Sequence, residues 1–208
     1  MGPYDTGNKE QRMNTARLEK QLRFLKEIDK VKNIFRQTYL LDEKRKENDA
    51  EHSWHLALYV LLLSEYANSS QLDICKVIKM VLIHDVVEIY AGDTFVYDHE
   101  GRKTQEKREA DAAEKLLSML PEDQQKTFSQ LIEEFNGKQS SEALFANAVD
   151  RLQPLLHNLL TEGKSWKEHG VAKEQVLSMN RHMGEGSEEL WEYVQSLIEE
   201  AHRKGWLL

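Results

Sequence analysis

Three prolines and ten glycines are all that interrupt 208 residues. Between them the apolar residues recur at three- and four-residue spacings, and no stretch bounded by turn signals alternates as a strand does. An all-α fold is therefore expected. From Ala16 to about Phe35 the residues Leu18, Leu22, Leu25, Ile28, Val31, Ile34 and Phe35 mark one face of an amphipathic helix. Asn48 or Asp49 is placed to cap a second helix. Its residues Trp54, Leu56, Ala57, Leu58, Tyr59, Val60 and Leu61 to Leu63 make it apolar nearly all round, so it belongs in the middle of the fold. A third helix is expected from Leu72 or Asp73 to about Tyr90, broken by Ala91-Gly92. The aperiodic stretch Asp93 to Lys103 reads as a loop.

Helices then follow at Gln105 to Met119, from Pro121 to Phe135 with an Asn136-Gly137 cap, and from Ser140 through Phe145, Val149, Leu152 and Leu156 to Leu160. Shorter ones near Ala172–Met183 and Ser187–Lys204 precede an apolar tail, Trp206-Leu207-Leu208, suited to covering the core or a dimer partner. No repeat, low-complexity tract or linker divides the chain. The expected organisation is a disordered leader over 1–14 and one helical domain over 15–208, with its core at 18–160 and C-terminal helices at 172–204. With 28 Lys+Arg against 36 Asp+Glu, the net charge of −8 argues against a nucleic-acid polymer or an anionic membrane as partner. A single cysteine excludes an internal disulfide and a thiolate zinc cluster. The longest apolar run, Leu56 to Leu63, is far short of a membrane span. A cytoplasmic enzyme or binding protein is the class left.

The chemistry gathers around Ile83-His84-Asp85-Val86-Val87-Glu88, three ionisable groups ending an apolar helix. On a continuous helix His84 and Glu88 share a face and Asp85 turns toward it. Neighbouring acids with an imidazole need a shared cation, a proton or a basic partner. A His-Asp pair alone reads equally well as a core histidine held by its neighbour. His52, near the start of the second helix, and Asp150, framed by Phe145, Val149 and Leu152, are further metal-competent side chains on mostly buried helices. Two imidazoles and two carboxylates suit a borderline divalent ion with positions left for water and substrate.

The order His52 … His84-Asp85 … Asp150 resembles the signature of the HD-domain phosphohydrolases. The surrounding words Ala50-Glu51-His52-Ser53, Ile83 to Asp93 and Asp150-Arg151-Leu152-Gln153-Pro154-Leu155-Leu156 are similar to the 5′-nucleotidase branch of that superfamily, over about Leu18 to Leu160. The resemblance implies an all-α HD fold and a divalent metal ion (Mn, Co, Fe, Zn or Mg) on His52, His84, Asp85 and Asp150. It implies that Glu88 positions or deprotonates the attacking water, that Asp93 is a second acid, and that Arg36 holds the substrate phosphate. Relatives that act on deoxynucleotides carry a tryptophan beside that arginine, where this chain has Gln37-Thr38-Tyr39. The choice between deoxyribose and ribose therefore stays open. The implied activity is removal of the 5′-phosphate from (deoxy)nucleoside monophosphates. The alternatives are hydrolysis of triphosphates or other nucleotides by the same centre, and a silent metal- or nucleotide-binding sensor. A homodimer is what the relatives suggest.

Other residues stay two-sided. His55 and His157 serve either the site or the core. Arg102, Lys103, Lys107 and Arg108 guide a phosphate or form a solvated helix start. Cys75 is expected to be a core thiol, and His99, His169, His182 and His202 to be loop or surface residues. Pro154 removes the helical bond to the Asp150 carbonyl, and its kink is expected to aim the Asp150 side chain.

Overall fold

A computed structural model describes residues 6–208, with side chains from Asn14 onward except that of His99. Helix α1 spans Thr6–Ile28, overlapping the expected leader from Thr6 on, while Met1 to Asp5 lie outside the described residues. The helix does not continue to Phe35 as its apolar spacing suggested. A 3-10 turn covers Asp29–Asn33, and Ile34 is extended (φ −95°, ψ 118°). Strand β1, Phe35–Tyr39, then pairs antiparallel with β2, Lys46–Asn48, with Phe35 opposite Asn48 and Tyr39 opposite Lys46. Aromatic and β-branched residues in Phe35-Arg36-Gln37-Thr38-Tyr39 favour this pleated conformation over the weak propensity of a helix end. Arg36 consequently projects from a strand.

Helix α2, Asp49–Leu63, starts in a capping box. Glu51 N donates to Asn48 Oδ1 at 2.9 Å and Asn48 N donates back to Glu51 Oε2 at 3.2 Å. One face, with Leu56 and Val60, is fully buried. The expectation that α2 is wrapped on all sides is corrected, because Trp54, Leu61 and Leu62 are 62%, 56% and 71% exposed. Helix α3, Ile74–Ile83, and helix α7, Ser141–Leu160, pack against one side of it only.

The long third helix is also divided. After α3 the chain tightens into a 3-10 turn, His84–Val87, and resumes as the short α4, Glu88–Ala91, ended by Gly92 at φ +77°. Helix α5, His99–Leu117, begins inside the expected loop because Asp98 Oδ1 accepts from the N–H groups of Glu100 and Gly101 at 3.1 and 3.0 Å. Helix α6, Glu122–Gly137, follows Pro121 and ends at left-handed Lys138. Helices α8 (Lys164–His169), α9 (Lys173–Asn180), α10 (Met183–Gly186) and α11 (Glu188–Arg203) complete the chain. A Cβ on Gly186 would lie 2.2 Å from the Leu144 carbonyl oxygen, so glycine lets α10 press against α7.

Two apolar clusters bracket the space where the ionisable residues meet. The larger joins Leu56, Val81, Phe145, Leu152, Trp166, Met183 and Ile198. The smaller joins Phe24, Val86, Leu116, Leu117 and Ile132. The C-terminal tail covers the larger: Leu207 is 5% exposed, and Leu208 N donates to Val171 O at 3.1 Å. Cys75 is exposed, a correction to the core reading, since Val77, Met80 and Val81 form the buried face of α3. Among the described residues no helix is long and apolar enough to cross a membrane.

Candidate metal centre and its pocket

Helix α2 presents His52 one turn after its cap, fully buried. Helix α7 presents Asp150 across from it, and His52 Nε2 stands 3.0 Å from Asp150 Oδ1. His52 Nδ1 lies 3.1 Å from Gln153 Oε1, which can only accept, so Nδ1 carries the proton and Nε2 turns its lone pair toward the carboxylate. His84 repeats the arrangement. Its Nδ1 donates to Val81 O at 3.0 Å, and its Nε2 faces Asp85 Oδ1 at 3.1 Å and Asp150 Oδ1 at 3.5 Å. His84 Nε2 is buried without a hydrogen-bond partner. Ligand atoms of His52, His84 and Asp85 lie within 4.8 Å of one another.

A ring nitrogen freed by a bond on its other side and aimed at carboxylates needs a cation between them. Without a metal, protons must serve. Burial and the Arg36 charge pull the His52 pKa down, yet the nearby Asp150 and Glu47 carboxylates hold it above its ordinary value. Burial likewise opposes protonation of His84, but Asp85 and Asp150 raise it to about 10. Asp85 and Asp150 stay well below the usual carboxylate range against burial, Asp85 held there chiefly by His84 and Arg36 and Asp150 by His52 and His84. The donor set, two imidazoles and two carboxylates around an orphaned nitrogen, fits a divalent ion.

The remaining acids lack such partners. Burial, reinforced by Asp85, pushes Glu88 up to about 9, and burial raises Asp93 despite the Arg36 charge. Asp49, fully buried, is raised to about 7 by burial and by Asp85. Arg36 sits among them: its Nη1 is 2.7 Å from Asp85 Oδ2, 3.2 Å from Asp49 Oδ1 and 4.0 Å from Asp93 Oδ1, and its Nε is buried with no partner. These charges outweigh burial and hold its pKa well above the ordinary value.

The centre opens into a cavity of about 1350 Å³ lined by Arg36, His84, Asp85, Glu88, Asp93 and Asp150. The seven residues that the sequence assigned to metal, catalysis and phosphate are thus near one another. All but His52 line the cavity, and His52 is buried within hydrogen-bond distance of Asp150. Asp49 was not foreseen, because an acid at a helix start reads as a cap. Nor was the basic part of the lining, where Lys138, Arg151 and His182 join Arg102, a residue the sequence offered as a phosphate guide, along the same cavity. His182 is half-buried rather than a surface residue. Burial, Lys138 and Arg151 push its pKa down to about 4. Arg108 clasps the loop before α5, donating to Thr94 Oγ1 at 2.7 Å and to Gly101 O at 3.2 Å. It is a loop clamp rather than a solvated helix start.

Fold and site together define the HD class, and the family model for the HD domain matches residues 28–191. The chain belongs to the HD domain family. It is 48% identical, over 92% of its length and 96% of the other chain, to a crystal structure from Magnetospirillum magnetotacticum described as a predicted metal-dependent phosphohydrolase, with a TM-score of 0.88. It is 28% identical over 137 residues to the 5′-deoxynucleotidase HDDC2 of Bos taurus, a match spanning 65% of this chain and 64% of that relative. It is 29% identical over 172 residues to the 5′-deoxynucleotidase YfbR of Salmonella newport, spanning 78% of this chain and 85% of the relative. The chain thus spans just under two thirds of the length of the HDDC2 protein that it matches.

Proposed function

We propose that this chain is a metal-dependent phosphohydrolase that removes the 5′-phosphate from (deoxy)nucleoside monophosphates. The observation that carries the reading is the convergence of His52, His84, Asp85 and Asp150 at one end of a cavity that Glu88 and Asp93 also line. The names of the HDDC2 and YfbR relatives support the substrate class. A divalent ion held by those four residues supplies charge for a phosphoryl oxygen and lowers the pKa of water.

The chain's own residues do the rest. Glu88, ionised once a cation at the centre offsets the burial and the neighbouring charges of Asp85 and Asp93 that hold its proton in metal-free protein, takes the proton of the attacking water, and Asp93 orients that water. Arg36, which lines the cavity, holds the substrate phosphate through its guanidinium group. Arg102, Lys138 and Arg151, which line the same cavity, balance its negative charge. A cytoplasmic location and a homodimer belong to the same proposal. The exposed stripe Trp54, Leu58, Leu61 and Leu62 on α2 supports a dimer, and sedimentation of the purified protein at the monomer mass would remove it.

The test is incubation with Mn²⁺ or Co²⁺ and a nucleotide panel. Release of inorganic phosphate from monophosphates is the expected result. Pyrophosphate or triphosphate release would move the substrate to triphosphates, and no release with metal and nucleotide bound would make the protein a sensor.

A further inference from the structure

Behind the centre just described, the same elements carry a second cluster. Strand β2 contributes Glu47, α2 contributes His55 one turn after His52, and α7 contributes His157 one turn after Gln153. One ligand atom from each lies within 4.8 Å of the others. Glu47 and His157 are 1% and 4% exposed, whereas His55 is only half-buried.

The hydrogen bonding of this cluster does not close. The Gln153 Nε2 group stands 2.7 Å from Glu47 Oε1, 3.3 Å from His55 Nδ1 and 3.2 Å from His157 Nε2. Its amide cannot be turned round, because the Glu47 carboxylate 2.7 Å away can only accept and requires the Nε2 hydrogens on its side. Nor can His157 supply a proton from Nε2 while neutral, since its Nδ1 donates to the Tyr39 carbonyl at 3.0 Å. Two amide hydrogens therefore face three acceptor sites. The second oxygen of Glu47, Oε2, is buried with no hydrogen-bond partner and lies 3.5 Å from His52 Nδ1.

We propose that Glu47, His55 and His157 form a second metal site, distinct from the HD centre, that takes a borderline divalent cation of the zinc or cobalt kind. Two imidazoles and a carboxylate are a donor set that such ions accept, with a fourth position left for water. The bond from His157 Nδ1 to a backbone carbonyl is the outer contact that orients metal-binding histidines. The His55 ring packs edge-on against Tyr59 at 4.8 Å between centroids, which holds its direction, and its partial exposure provides a way in. An ion here takes the place of the Gln153 amide nitrogen, whose side chain must swing aside, and ties β2, α2 and α7 together. It acts as a clamp behind the HD centre rather than as part of it.

Metal-stripped protein titrated with Zn²⁺ or Co²⁺, with bound metal counted after desalting, tests the proposal. Two equivalents per chain are expected. His55→Ala and His157→Ala should each bind one and still release phosphate, while Asp85→Asn should retain the other equivalent. The second equivalent should raise the melting temperature of the wild type and leave that of His55→Ala unmoved. A single equivalent in the wild type, or two that survive both histidine substitutions, would overturn the site. Should the variants not fold, zinc-edge anomalous diffraction from the wild type decides. A peak bonded to Glu47, His55 and His157 supports the site, and its absence in zinc-soaked crystals overturns it.

Discussion

The two walls of the cavity solve opposite electrostatic problems. On the acidic wall Asp85 and Asp150 face His52 and His84, and Arg36 bridges Asp85 and Asp49, so most charges have an opposite partner within 4.0 Å. On the basic wall, burial and neighbouring cations depress Lys138 and His182. Burial and then Arg151 pull the Lys138 pKa down, and burial, Lys138 and Arg151 do the same to His182. Asp150 is the acid that both walls share, with Arg151 Nε 3.7 Å from its Oδ2 and otherwise unpartnered. A wall whose acids are already paired is arranged to hold a cation, and one whose cations repel is arranged to receive an anion.

The largest expected effect comes from removing a ligand. Asp85→Asn or Asp150→Asn should lose metal and turnover together, by on the order of 10³-fold in rate. Equal activity with normal metal content would break the assignment of that wall. Glu88→Ala should instead keep the metal and lower kcat by roughly 10²- to 10⁴-fold, so metal content and rate separate on the acidic wall itself. On the basic wall, Arg151→Ala should raise KM by about tenfold or more with little change in metal content, the usual scale for one charge-assisted hydrogen bond. If its effect fell on metal affinity and not on KM, the division between the walls would fail.

The fourth expectation concerns pH. Folded, metal-free Glu88 keeps its proton up to about 9, whereas its ordinary value is 4.5. Between those values the folded chain binds more protons than the unfolded one, so this group's contribution makes stability fall as pH rises. Melting curves of metal-free protein from pH 5 to 9 should show that decline, and Glu88→Gln should flatten it by a few degrees. An identical slope in the variant would place the decline in another group. The smallest effect is expected for Pro154→Ala. Helix α7 runs through Pro154 from Ser141 to Leu160, and the proline is proposed to aim Asp150. Unchanged metal affinity in that variant would end the idea.

What was legible in the sequence follows from range. His84 and Asp85 are adjacent, His52 sits one turn past a readable cap, and Asp150 lies on a strongly periodic helix, so each could be placed by local rules. The strand that carries Arg36 is not legible, because Ile28, Val31, Ile34 and Phe35 keep helical spacing up to the residue before that arginine and the hairpin overrides that period. Glu88 was assigned to the face of His84 by assuming an unbroken helix. The 3-10 turn at His84–Val87 changes the path, yet both side chains still line the cavity. The basic wall was not legible, since Lys138, Arg151 and His182 meet only through the packing of separate elements. The exposed outer face of α2 escaped notice for the same reason, since composition alone cannot say which side a helix leaves uncovered.

The most direct measurement pairs bound metal with inorganic phosphate released from a deoxynucleoside monophosphate, for the wild type, Glu88→Ala and Asp150→Asn side by side. The wild type should show metal and phosphate release, Glu88→Ala metal with little release, and Asp150→Asn neither from the HD centre. Phosphate release that persists in Asp150→Asn, or that survives intact in Glu88→Ala, would contradict a hydrolase working through this centre.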